Sequence, residues 1–319
     1  MKDERDLTRK VTVPGFAIGT AENREGLTGV TAIIAKEGAS AGVDVRGCAP
    51  GTRETDLLSP EKTVEKIHAV VLSGGSAFGL ESTCGVMRYL SEEGIGFHVG
   101  RATVPIVCGA VLFDLEIGDG HAFPDLSMGY EAAKKASHEV KAGCHGAGTG
   151  ATVGKLLGFD HAMKSGAGYH EIRLDSGLVV GAYMAVNACG EVYEHDKALA
   201  GAVGDDGHSI VSSHDLMLSG FQRRLSGANT TIGCVITNAA LTKAQCRTVC
   251  AMAHDGMARS IRPVHTSMDG DTVFTMASGK VEASVDTTGY LAAEAVRLAV
   301  IDAVRSAESL GGRPAMKDL

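Results

Sequence analysis

The chain has 319 residues, 42 of them glycine and seven proline; 44% are apolar, 21% charged and 4% aromatic, with no tryptophan. Glycine stands at nearly twice its usual share of about 7%, yet it follows no G-X-Y period and few prolines accompany it, which excludes collagen and low-complexity readings; the ordinary charged fraction excludes disorder. A net charge of −8 with no Lys/Arg run excludes nucleic acid and anionic membrane surfaces as partners, because both need positive surface.

Residues 1–10 alternate charges and lack the apolar region of a signal peptide, and no stretch approaches the roughly 18 consecutive apolar residues of a membrane span, so a cytoplasmic location is expected. Apolar and β-branched runs predict strands over 11–18, 30–35 and 41–46. Ser59-Pro60 predicts a helix over 60–66, since serine accepts free N–H groups and proline at the first helical position loses no bond. A strand over 69–72, a helix over 77–92, a strand over 104–112 and a helix over 128–140 follow. Residues 143–154 form a glycine-rich segment before a strand over 177–186. Residues 198–229 are polar and turn-prone, resembling a linker. The chain then predicts a strand over 230–237, a helix over 242–261, a strand over 272–277 and a helix over 289–309. This alternation implies an α/β or α+β fold. Residues 230–319 hold nine basic and nine acidic residues, so the whole net charge belongs to residues 1–229. Neither part alone looks self-sufficient, and one composite domain over 1–319 is expected.

The eight cysteines (48, 84, 108, 144, 189, 234, 246 and 250) form no C-x-x-C pair in a chain too long to need disulfide staples. Cys246 and Cys250 share the apolar face of the predicted 242–261 helix with Val249, Ala253, Met257 and Ile261, and read as small buried hydrophobes. The glycine-rich turns fail the nucleotide motifs: Thr149 and Leu156 occupy required positions of a phosphate loop, and no G-x-G-x-x-G occurs. Gly74-Gly75-Ser76-Ala77 approaches a nucleophile elbow but ends in Phe78, leaving a strand-to-helix turn as the simpler reading and a serine hydrolase centred on Ser76 as an alternative. The twelve histidines include no H-E-x-x-H, and Val273 replaces an oxygen donor of a calcium loop beyond Asp269 and Asp271, so neither metal nor cofactor is expected.

The strongest local feature is the passage of a polar segment into a β-branched strand at Asn229-Thr230-Thr231-Ile232. A threonine hydroxyl at such a junction can attack the preceding carbonyl, giving an ester that water hydrolyses. The new N-terminal threonine would carry its own base, an α-amine with pKa near 8. Taken locally, a threonine-rich strand start after a turn is the plainer reading.

Five stretches carry a resemblance: VDVRGCAPGTRETDLL (43–58), VVLSGGSAFGLE (70–81), GTGATVGK (148–155), NTTIGCVITNA (229–239) and AHDGMARSIRPVHTSMDGDT (253–272). In these, and in their order, the chain resembles the DmpA/P1 peptidase family of autoprocessing N-terminal-nucleophile aminopeptidases and amidohydrolases. The resemblance implies a four-layer αββα sandwich, made as one precursor and cut between Asn229 and Thr230 into an α chain of residues 1–229 and a β chain of residues 230–319. It implies Thr230 as nucleophile, with Lys155, Asn187, Asp269 and Asp271 as further site residues and no cofactor. In that setting Lys155 would keep the reactive amine neutral or stabilise an oxyanion, Asn187 would supply an uncharged N–H donor, and the two aspartates, on one side if extended, would orient Thr230 or bind a cationic substrate end. Threonine in place of serine, with two aspartates, looks like the branch that includes the nylon-oligomer (6-aminohexanoate) hydrolases. A small peptide or amide substrate and a homotetramer of α/β units are implied by the same resemblance. The alternatives are a non-catalytic binding protein on the same fold and the serine hydrolase using Ser76.

Overall fold

The structure, a computed structural model, describes residues 6–221 and 229–319. Its central element is a strand of 18 residues, β2 (Thr28–Val45), preceded by its hairpin partner β1 (Ala17–Asn23). The two predicted strands over 30–35 and 41–46 are therefore one. Its middle carries exposed Lys36 and Glu37 and a left-handed Gly38 (φ 72°), and the ladder changes register between Ile34 and Ala39. At this irregularity β2 leaves one sheet and enters another.

The first sheet runs in the order β1, β2, β3 (Ile67–Ser73) and β4 (Val107–Val111), with Gly51–Arg53 on its edge; β3 and β4 are parallel, linked through α1 (Ser82–Glu92). After β4 comes α2 (Leu126–Lys134). The second sheet runs β5 (Ala167–Arg173), β6 (Val179–Asn187), β7 (Thr230–Ala239), β8 (Thr272–Val281) and the second half of β2. Here β7 and β8 are the parallel pair, joined through α3 (Lys243–Ser260), and α4 (Val285–Arg305) follows.

Alternation along each strand sorts side chains into layers. Ile33, Leu72, Tyr183, Ile232 and Phe274 meet between the sheets. Ala32, Ile34 and Val71 turn the other way, toward Val86 of α1 and Ala132 of α2. Val180, Val235 and Val273 turn toward Val249 of α3 and Val296 of α4. The molecule is thus the four-layer αββα sandwich that the resemblance implied.

Several element boundaries differ from expectation. Residues 60–66 form turns instead of a helix: Val64 is their only large apolar side chain, and seven residues without a face to bury cannot offset the cost of nucleation. The helix predicted over 128–140 stops at Lys134, because Ser137 N–H and C=O are taken by Ile18 and Glu139–Lys141 pairs with Thr8–Lys10. Of the strand expected over 11–18 only residues 17 and 18 are strand, as the start of β1, and β5 had no prediction. Much of the linker-like stretch is structured: Ala202–Val203 pairs with Ile210–Val211, and Ser213–Leu218 is a short helix capped by Ser212. Residues 222–228 of that stretch lie outside the described residues. Among the described residues, no helix is long and apolar enough to cross a membrane.

Candidate active site

Thr230 opens β7 and Asn187 closes β6, and the antiparallel register sets them opposite each other. Both follow the alternation that sends Ile232 and Tyr183 between the sheets, so their side chains share the inner face at one end of the sandwich. Neither is open to solvent; Thr230 is 4% exposed.

One wall of the site comes from the turn of residues 148–155. It is docked on the chain leaving β6 by Gly154 N–H to Gly190 O (3.1 Å) and Lys155 N–H to Cys189 O (2.8 Å). The Lys155 ammonium then donates to Asn187 O (2.9 Å) and Oδ1 (2.7 Å), and Thr152 N–H is a second donor to that Oδ1 (3.0 Å). Asn187 Nδ2 donates to Phe113 O (2.8 Å), which commits one of its two amide hydrogens. Burial pushes the Lys155 ammonium down to about 7, with Cys189, Asp269, Asp114 and Asp271 opposing. The Phe159 ring lies 5.7 Å from Lys155 Nζ.

The other wall is the Asp269-Gly270-Asp271 segment. It leaves a turn closed by Asp269 N–H to Thr266 O (3.1 Å), Asp269 forms a parallel bridge with Asn229, and β8 begins at Thr272. Asp271 accepts from Thr231 N–H (2.7 Å) through Oδ1, and from His265 N–H (3.1 Å) and the His265 ring Nδ1 (2.8 Å) through Oδ2. Asp269 Oδ2 accepts from Thr266 N–H (2.6 Å), while its Oδ1 is buried with no partner among the described residues. Burial raises the Asp269 carboxyl to about 6, and the Asp271 charge adds to the rise. Residues 46–50 clamp this segment from outside, with Arg46 N–H on Asp271 O (3.0 Å) and Ala49 N–H on Asp269 O (2.9 Å).

Between the walls lies the Asn229–Thr230 peptide. The Thr230 hydroxyl donates to Asn229 O, and Gly270 N–H donates to the same oxygen (3.1 Å). Only glycine fits at 270, where a Cβ would sit 2.8 Å from Thr230 Oγ1 and 2.7 Å from Ala49 O. Asn229 is 1% exposed, and neither atom of its carboxamide finds a partner among the described residues.

All five site residues expected from the sequence thus gather around one peptide bond. Three further contributors were not foreseen. His265 and Gly270 lie inside the matched 253–272 stretch, so a signal for them existed; Asp114 lies in none of the matched stretches. Ser76, at φ 52°, has no histidine on its hydroxyl among the described residues, which leaves a hydrolase elbow there without a base. No group of three or more His, Cys, Asp or Glu among the described residues is placed to hold a metal ion.

Residues 11–317 match the family described as Peptidase family S58. An uncharacterized aminopeptidase of Mycobacterium leprae is 40% identical over 313 residues, covering 90% of this chain and 84% of its own. The 6-aminohexanoate-oligomer endohydrolase of a Kocuria strain is 28% identical over 317 residues, covering 93% and 86%. Among solved structures, the L-aminopeptidase D-Ala-esterase/amidase of Ochrobactrum anthropi, described as a variant of the Ntn hydrolase fold, superposes with a TM-score of 0.71 at 19% identity, covering 96% of this chain and 88% of that one. The match over nearly the whole length, together with the fold, establishes that this chain belongs to peptidase family S58 and is a hydrolase of amide bonds.

Proposed function

We propose that the protein is an N-terminal-nucleophile hydrolase that cuts its own chain between Asn229 and Thr230 and then uses Thr230 on small peptides or amides. The observation that carries this reading is the Thr230 hydroxyl donating to the carbonyl of the residue it is joined to, with Gly270 N–H on the same oxygen. In the first step Thr230 Oγ adds to the Asn229 carbonyl carbon as its proton passes to a base. Lys155, held near 7 by burial, is the group in this cluster suited to take it at neutral pH. Gly270 N–H stabilises the oxyanion. The C–N bond breaks, the nitrogen gains a proton, and water hydrolyses the resulting ester to an Asn229 carboxylate and a free Thr230 hydroxyl and amine.

In the cut enzyme the Thr230 amine accepts the hydroxyl proton, and Lys155 beside it favours the neutral amine by like-charge repulsion. Attack on a substrate amide expels an amine carrying that proton, and water releases the acyl group. Asp269, whose Oδ1 has no partner among the described residues, is placed to accept the cationic end of an amino-bearing substrate. Names of relatives support two classes: aminoacyl compounds, from the aminopeptidase, and ω-amino-acid oligomers, from the 6-aminohexanoate-oligomer endohydrolase. The family resemblance supports four α/β pairs per cytoplasmic assembly, which native mass measures.

The experiment is intact mass over time. Wild-type protein resolves into pieces of 229 and 90 residues, Thr230→Ala stays one chain without turnover on aminoacyl, β-aminoacyl and ω-amino amides, and Thr230→Ser keeps part of both activities. A wild-type chain that stays whole on prolonged incubation while hydrolysing these amides overturns the reading.

A further inference from the structure

Asp114 is a fully buried carboxylate that the scheme above does not use; it is 3% exposed and lies at the meeting point of three turns. Gly75 N–H donates to its Oδ1 (2.6 Å) and the Thr28 hydroxyl to its Oδ2 (2.8 Å). A Cβ at Gly74 would lie 2.1 Å from Oδ2 and one at Gly150 2.6 Å from the same atom, so both glycine-rich turns are shaped to this side chain. The residue before it supplies the carbonyl that holds Asn187 Nδ2. The turn pressed on it at Gly150 runs on to Thr152 and Lys155, the two donors on Asn187 Oδ1. Asp114 thus braces both grips on Asn187 from behind, at a point where it touches neither Thr230 nor the peptide to be cut.

We propose that Asp114 is a positioning residue that sets the orientation of Asn187 and Lys155 toward Thr230. This rests on the self-cleavage reading above. A second consequence follows from its charge. The groups acting on Lys155 are Cys189, Asp269, Asp114 and Asp271; the cation acting on Asp114 is Lys164, whose ammonium donates to Gly148 O (3.3 Å), Ala151 O (2.7 Å) and Ser165 O (2.6 Å). Burial raises the Asp114 carboxyl to about 6, so it is ionised where Lys155, near 7, changes charge. Its negative charge favours the ammonium. Removing that charge lowers the Lys155 pKa, and a step that needs the neutral amine then proceeds at lower pH.

The test is the rate of self-cleavage against pH for wild type, Asp114→Asn and Asp114→Ala, with the melting temperature recorded for each. The wild-type rate rises with pH through about 7. Asp114→Asn keeps an acceptor for Gly75 N–H and a donor for the Thr28 hydroxyl, so its plateau stays within a few-fold of wild type while its rising limb moves to lower pH. Asp114→Ala loses both contacts and its plateau falls about tenfold or more, as misorientation at a reacting centre does. If Asp114→Ala fails to fold, the limb position of Asp114→Asn decides alone. An Asp114→Asn limb at the wild-type pH, or an Asp114→Ala plateau equal to wild type, overturns the proposal; a role confined to stability lowers the melting temperature and leaves the limb in place. A wild-type chain that is never cut removes instead the reading on which the proposal rests.

Discussion

The two walls that flank the Asn229–Thr230 peptide are built on opposite electrostatic plans. On the Lys155–Asn187 side a buried cation faces acceptors: a backbone carbonyl and a carboxamide oxygen. On the Asp269–Asp271 side buried carboxylates face donors: N–H groups of Thr231, His265 and Thr266, and the His265 ring. Each wall satisfies most of its polar atoms within itself, which a buried site requires. The walls differ in what burial does to them. It drives Lys155 toward losing a proton and Asp269 toward gaining one, so both depart from the charged forms they hold in water. The Thr230 hydroxyl therefore lies between a reluctant cation and a reluctant anion, and the protein carries the cost of keeping both out of water.

Substitutions that remove one wall at a time break the comparison. Lys155→Met keeps most of the buried volume and takes away the amine; self-cleavage slows by about 100-fold or more, the scale of a lost general base, read from the time course of fragment appearance. Fragments appearing at the wild-type rate would place the base elsewhere. On the acidic wall the first effect is structural. In a Thr230→Ala background, where the chain stays whole, Asp271→Ala strands Thr231 N–H and two donors of His265, and the urea midpoint falls by an amount equivalent to about 2–3 kcal/mol. A smaller effect separates Asp269 from its neighbour. Its carboxyl is raised in the folded chain from 3.8 to about 6, so its contribution to stability is present below pH 3.8 and lost as pH rises through about 6. In the same background Asp269→Asn flattens the decline of stability across that window. A slope identical to that of the background protein would show that Asp269 does not titrate as its burial requires.

The legible parts of the site were those that depend on near neighbours in the chain. The β-branched run after Asn229 marks the start of β7, and strand alternation then dictates that Thr230 and Thr231 face opposite ways. Thr242 and Gln245 form a capping box, which is why the start of α3 falls where the pattern put it. Local signals also misled. Ser59-Pro60 has good helix-start chemistry but no apolar stripe behind it, and the carbonyls of Leu57 and Lys62 bond instead to the Lys243 ammonium. The backbone grip on the two aspartates, from Asn229 on one side and residues 46–50 on the other, had no local signal. Asp114 gave no sign at all, since its neighbours at Thr28, Gly75 and Gly150 are distant in sequence and none of them is unusual alone.

By itself, then, the amino-acid order determined the chemical types at the site and the strand that presents the hydroxyl, because side-chain identity, strand period and helix caps act over a few residues. The order of the matched stretches also carried the sandwich, through family resemblance. Only the tertiary structure decided which side of Thr230 holds the amine and which the carboxylates, that the two aspartates accept from different donors, and that Lys155 and Asp269 are pushed off their ordinary pKa values. Those properties depend on register between strands and on exclusion of water by segments from across the whole chain. Solvation energy is a property of the assembled site, and no local stretch of sequence contains it.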